Sequence, residues 1–287
     1  MKVKKYLPSL ITLANLFLGF LSILYIQRGH FEFACHLILI AAILDSFDGK
    51  LARKIGIASD FGKEIDSLAD LISFCLAPSV LIFNIFYSPD LVIAESLFLY
   101  LATISSLPVL MGAIRLARFN VDHTKESKQN YFVGLPSPMA AISVCSIVLL
   151  QLKLSSTSTI SWFFGQDNFN ATNGNGPISS LQEFNIVEFN FILSIIILLS
   201  FLMISKIQFS KFPLFSFNHS KDNSIRLILL IIIMILLIIS KPYGYFHIGL
   251  FSFSAYYIIS NILFHFINNS IKLNKLRKSL KNKKRNS

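Results

Sequence analysis

Eight apolar stretches, near residues 10–27, 31–52, 64–87, 92–118, 133–152, 189–206, 225–240 and 246–267, each approach the roughly 20 residues that a helix needs to cross a bilayer. A soluble core has no room for so many. In lipid each backbone amide must be satisfied within its own segment, so runs of this kind fold as helices. The expected architecture is all-α, a polytopic transmembrane helical bundle of about eight spans. Only 14% of the 287 residues are charged and the mean hydropathy is +0.63, which agrees. The last two stretches are separated by Lys-Pro-Tyr-Gly-Tyr at 241–245, a turn sequence that makes them a helical hairpin. The first follows Met-Lys-Val-Lys-Lys and imitates a signal peptide, but Pro8 and Asn15 interrupt it and no small-residue cleavage site follows cleanly. It is read as a retained first span.

Orientation comes from the placement of Lys and Arg. With the amino terminus in the cytoplasm, 22 of the 26 basic residues fall on the inner side and three, Arg28, Lys153 and Lys241, on the outer; Lys50 sits at the inner end of its helix. The net charge of +11 therefore marks inner loops and anionic lipid contacts, and nucleic acid is not expected as a partner. Four regions follow: residues 1–152, a catalytic core of five spans; 153–188, an outward-facing polar loop rich in Ser, Asn and Gly; 189–267, three further spans; and 268–287, a basic cytoplasmic tail. The three cysteines, Cys35, Cys75 and Cys145, lie in apolar stretches without metal-type spacing and read as packing residues. No internal repeat supports a duplicated transporter architecture.

Against this background residues 45–70 stand apart, because they hold six of the fifteen acidic residues. Asp45 and Asp48 are three apart, Asp66 and Asp70 four apart, so each pair shares a face of its own helix. Arg53-Lys54 followed by Gly56 ends one helix, and another begins before Asp66. A hairpin then aims four carboxylates at one another. Unshielded, they would repel and raise each other's pKa, so they call for a divalent cation; all-oxygen ligands favour magnesium, manganese or calcium over zinc.

Written generally, the stretch is D-x-x-D-G-x-x-A-R, eight residues, then G-x-x-x-D-x-x-x-D. This resembles the signature of the CDP-alcohol phosphatidyltransferase family at every defined position: Asp45, Asp48, Gly49, Ala52, Arg53, Gly62, Asp66 and Asp70. Residues 7–24, with a Pro, a Thr-x-x-Asn and a Gly-Phe, together with R-L-A-R-F-N at 115–120 and Y-F-V-G-L-P-S-P-M-A-A at 131–141, are similar to the bacterial phosphatidylserine synthase branch. The similarity covers roughly residues 5–150 and then fades. Ser9 departs from the Asn more usual after the proline, while Thr12 and Asn15 stay in register.

The resemblance implies transfer of a phosphatidyl group from CDP-diacylglycerol to L-serine, releasing CMP, with the lipid bilayer as surroundings and a homodimer as assembly. It implies Asp45, Asp48 and Asp66 as ligands of two ions, Mg2+ or Mn2+, with Asp70 a further ligand and the general base for the acceptor hydroxyl. Gly49 and Ala52 then admit the cytidine nucleotide, the alternative being tight helix packing through small residues. Arg53 is assigned to a nucleotide phosphate, or neutralises the neighbouring aspartates. Gly62 permits a turn or nucleotide approach at the entry of the third span. Thr12 and Asn15 are either interhelical glue or part of the nucleotide pocket. Arg115, Arg118 and, more weakly, Asn120 are candidates for the serine carboxylate, the alternative for the arginines being a positive-inside anchor. The G-L-P-S-P run at 134–138 reads as a rigid loop shaping the cavity mouth, and the six scattered histidines as structural.

Two rival readings remain: the same family with glycerol 3-phosphate or inositol phosphate as acceptor, and an ion-coupled transporter. Clustering of acidic residues at one membrane face argues against the transporter. A bacterial inner membrane location, with the active site on the cytoplasmic side, completes the expectation.

Overall fold

The computed structural model describes residues 3–55, 60–87, 94–121, 131–156, 186–210 and 245–285, with Ile232. Among them the chain is almost wholly helical. Helix α1, Val3–Gln27, turns into α2, Phe31–Ile55, through a left-handed Gly29 (φ +76°). The His30 amide donates to Tyr25 O (3.0 Å) and the Gly29 amide to Ile26 O (2.9 Å), the paired bonds of a glycine-ended helix.

The buried face of α1 is the stripe Thr12, Asn15, Gly19, Ser22, Ile26, while Leu10, Leu13, Phe17, Phe20 and Leu24 on the other face are exposed. That is inverted relative to a soluble helix. In lipid the apolar residues need no burial, and helices associate through small residues and hydrogen bonds worth about 0.6 kcal/mol each. Ser22 Oγ donates to Ala34 O on α2 (3.2 Å), beside the fully buried Cys35, Ile38 and Ala41.

The third helix runs in three parts: α3, Asp60–Asp70; a π-helical stretch, Leu71–Leu76; and α4, Ala77–Phe86. Pro78 stands in the first turn of α4. It has no amide to give the carbonyl four residues back, and its ring crowds that carbonyl. The wider turn just before it relieves this, as the Ala77 amide reaches Ile72 O, five residues back. Ser73, Phe74 and Cys75 are consequently buried together. Gly19 of α1 lies against this turn: a β-carbon there would come within 2.7 Å of Ser73 Cα. Helix α5, Ala94–Val121, runs through Pro108 and meets the same turn at Gly112, where a β-carbon would sit 3.0 Å from Cys75 Cβ.

After α5 the structure departs from the all-α expectation. Tyr131–Val133 (β1) pairs antiparallel with Gln208–Ser210 (β2), Phe132 opposite Phe209. Between them lie α6, Ser137–Ser156, and α7, Ile186–Ile204. The helix at the place expected for the fifth span therefore starts at 137 rather than 133, and helix extends into residues 153–156 and 186–188 at the two ends of the expected loop. Gly134 (φ +83°) turns β1 into α6, its amide bonded to Ile207 O (2.9 Å); a side chain there would collide with the Met203 carbonyl. The last helix, α8, Phe246–Arg285, continues as helix through the basic segment. Ser146 of α6 and Ser254 of α8 share a buried hydroxyl contact of 3.1 Å.

Four stretches among the described residues are long and apolar enough to cross a membrane: Ser9–Gln27, Phe61–Phe86, Leu97–Val121 and Phe246–Ile267. Ser137–Lys153 and Asn190–Ile204 are shorter apolar helices. This is the make-up of a membrane-embedded protein. The span expected at 225–240, Ile232 apart, and most of the loop at 153–188 lie outside the described residues.

Candidate active site

Helix α2 is described as far as Ile55 and α3 from Asp60, and the helix break expected after Arg53-Lys54 falls outside the described residues. The motif becomes two stripes: Asp45, Asp48, Gly49 and Ala52 follow one face of α2, and Gly62, Asp66 and Asp70 one face of α3. Asp45, Asp66 and Asp70 are half-buried, and each offers a carboxylate oxygen within 4.8 Å of the other two. Asp45 and Asp66 both lie within electrostatic reach of Asp70, and like charges so close repel unless a cation is shared between them. Asp70 Oδ1 is buried with no hydrogen-bond partner.

These are the attributes of a hard-cation site: three converging carboxylates, with a buried Asp70 oxygen that no described residue satisfies. Asp48 lies one turn along α2 from Asp45; its side chain, and those of Gly49, Ala52 and Arg53, lie outside the described residues. Gly62 is in the first turn of α3 and half-buried.

Positive charge reaches the triad from α5. Arg115, only 7% exposed, donates from Nη1 to Ser137 Oγ at 2.7 Å and lies within electrostatic reach of Asp70. Arg118, one turn on, is employed differently. Its Nη1 donates to Ile204 O (3.1 Å) and its Nη2 to Val133 O (3.0 Å), so it ties α5 to the end of α7 and to β1. Asn120 braces α5 against α3, accepting from Ser67 Oγ (3.1 Å) and donating to Glu64 Oε2 (3.4 Å). Of the three acceptor candidates, Arg115 alone is placed by its contacts beside the carboxylates.

Thr12 and Asn15 are both buried on α1. The Asn15 carbonyl accepts from Ser73 Oγ (3.0 Å), three residues past Asp70. Its side-chain amide is wholly buried, with neither Oδ1 nor Nδ2 hydrogen-bonded. An unsatisfied buried amide costs about 1–3 kcal/mol, which interhelical glue would not leave uncompensated.

Sequence reasoning missed Ser137, although it read the loop that carries it, and it missed Glu64 and Ser67. Ser137 had a signal: a small polar residue between two prolines, in a chain where buried arginine must find acceptors.

Residues 5–166 match the family described as CDP-alcohol phosphatidyltransferase. The chain is 42% identical over 146 residues to a CDP-diacylglycerol–serine O-phosphatidyltransferase of Helicobacter pylori, a stretch covering 51% of this chain and 58% of the relative. It is 42% identical over 146 residues to an archaetidylserine synthase of Methanothermobacter thermautotrophicus, covering 50% and 58% respectively. Over 145 residues it is 35% identical to a CDP-diacylglycerol–serine O-phosphatidyltransferase of Bacillus subtilis, covering 50% of this chain and 75% of that one. The matched stretch thus spans less than two thirds of the first two relatives.

Proposed function

We propose, because this chain belongs to the CDP-alcohol phosphatidyltransferase family, that it transfers the phosphatidyl group of CDP-diacylglycerol to L-serine, giving phosphatidylserine and CMP. The observation that carries this reading is the meeting of Asp45, Asp66 and Asp70 within 4.8 Å beside the buried Arg115. Relatives whose names specify serine as acceptor support the choice of alcohol.

In the reaction the serine hydroxyl oxygen attacks the phosphorus that bears diacylglycerol, the bond from that phosphorus to the CMP phosphate breaks, and CMP leaves with the electron pair. Asp70 takes the hydroxyl proton, its unpartnered Oδ1 being the accepting atom. Asp45, Asp48 and Asp66, with Asp70, would hold two divalent ions, Mg2+ or Mn2+, which when bound offset the charge of the diphosphate. Arg115 holds the serine carboxylate while Ser137 keeps the guanidinium in place. Thr12, Asn15, Gly49, Ala52, Arg53 and Gly62 surround the nucleotide, and the unsatisfied Asn15 amide supports its share in that pocket. Arg118 and Asn120 position α5 and need not touch serine.

The setting proposed is an eight-span protein of the bacterial inner membrane with the site at its cytoplasmic face, supported by the distribution of Lys and Arg. Membranes containing the protein, supplied with CDP-diacylglycerol, Mg2+ or Mn2+, and serine, glycerol 3-phosphate or inositol phosphate in turn, should release CMP with serine. Release with glycerol 3-phosphate and not with serine would overturn the acceptor assignment.

A further inference from the structure

The match to the family ends at residue 166, yet segments beyond it touch the arginine side of the site. In β2 the backbone groups of Gln208 and Ser210 point away from β1, because groups alternate along a strand and Phe209 faces Phe132. Helix α8 supplies partners on that edge. The Gln208 amide donates to His265 Nδ1 (3.3 Å), the Ser210 amide to Asn261 Oδ1 (2.7 Å), and Tyr257 Oη donates to Ser210 O (2.9 Å). The Tyr257 ring stacks on the fully buried Phe209, centroids 6.1 Å apart. Asn261 is itself held by its Nδ2 on Tyr257 O (2.7 Å). Three side chains of one helix, spaced four apart, thus act as the third strand of the sheet.

The other edge of β2 leads to the site. Val133 of β1 accepts from Arg118, the Gly134 amide bonds Ile207 O just before β2, and Ser137 begins α6 and accepts from Arg115. A shift of β2 along its strand axis therefore moves β1, the Gly134 turn and Ser137 together.

We infer that Tyr257, Asn261 and His265 of α8 are positioning residues for the acceptor site, setting through β2 and β1 the place of Ser137 and hence of the Arg115 guanidinium. This rests on Arg115 binding the carboxylate of serine. None of the three touches substrate; their effect falls on serine binding and spares the nucleotide.

The test uses the full chain in membranes, with Tyr257→Phe, which removes one hydroxyl, and Asn261→Ala, which strands the Ser210 amide. Each should raise the KM for serine about fivefold, the factor one hydrogen bond carries, with the KM for CDP-diacylglycerol unchanged. The double variant should not exceed the worse single by the full product, since both act on Ser210. If both KM values stay put in both variants, or rise together with a fall in thermal stability, α8 only holds the bundle together and the inference fails. Failure of the serine reading itself is separate: the unaltered protein would then form no phosphatidylserine at all.

Discussion

Arg115 Nη1 and Ser137 Oγ lie 2.7 Å apart in a buried contact that joins α5 to the first residue of α6. The bond sets the direction of a guanidinium that faces the aspartate triad. Ser137→Ala leaves that cation in place but less oriented, so the KM for serine should rise about fivefold with kcat little changed. Arg115→Lys keeps the charge and loses the planar fork that grips a carboxylate, and the rise should be larger, about 30-fold or more. Initial rates against serine concentration at saturating CDP-diacylglycerol would show both. Equal effects of the two changes would mean that Arg115 does not bind the acceptor.

Asp70 is the last carboxylate of the motif, and no described residue hydrogen-bonds its buried Oδ1. Asp70→Asn is nearly isosteric but cannot accept the hydroxyl proton. It should lower kcat by about 100-fold to 10,000-fold, the range for loss of a general base, while the protein still enters membranes and melts within a few degrees of the parent. Removal of divalent cations with a chelator should abolish turnover in the parent and be reversed by Mg2+ or Mn2+. Activity retained by Asp70→Asn would remove it from the role of base.

Much of this site was legible in the chain. The spacing of Asp45, Asp66 and Asp70 along α2 and α3 follows from helix geometry and needs no tertiary information. What was hidden depends on pairings that local pattern does not carry. Phe132 and Phe209 face each other from three-residue strands too short to show alternation. Arg118 looked like either an anchor or an acceptor ligand, because nothing nearby in sequence announces the carbonyls of Val133 and Ile204 that hold it. The π-helical turn after Asp70 had a local cause in Pro78, but a continuous apolar run reads as one straight span.

Arg118 should separate from Arg115 in its consequences. Arg118→Ala strips two carbonyl oxygens of their charged donor and loosens β1 from α7. A loss of about 2 kcal/mol in stability is expected, seen as a lower melting temperature in detergent, with the serine KM moved less than by changes at Arg115. Arg118→Lys reaches only one carbonyl at a time and should recover part of the stability.

Gly19 tests the close approach of α1 to the π-helical turn. A β-carbon there would meet the Ser73 backbone at 2.7 Å, and backbone cannot rotate aside as a side chain does. Gly19→Ala should therefore cost about 1–3 kcal/mol through overpacking, against the gain that alanine normally brings to a helix interior. Thermal unfolding in detergent reads the sign directly. A stabilised variant would show that α1 stands further from the turn than this.

Asn15 sets stability against function. Its amide is fully buried, with both polar atoms unsatisfied, so a leucine of similar size removes a group that costs the protein about 1–3 kcal/mol when no ligand is bound. Asn15→Leu should accordingly raise the melting temperature of the ligand-free protein. If the amide completes the nucleotide pocket, the same change should raise the KM for CDP-diacylglycerol and shrink the thermal shift that CMP and Mg2+ produce together. A variant that is more stable and binds CMP as well as the parent would return Asn15 to a purely structural role. One that is less stable would show that the amide has a partner in the ligand-free fold. The pair of measurements therefore decides between glue and pocket, which the spacing of Thr12 and Asn15 alone left open.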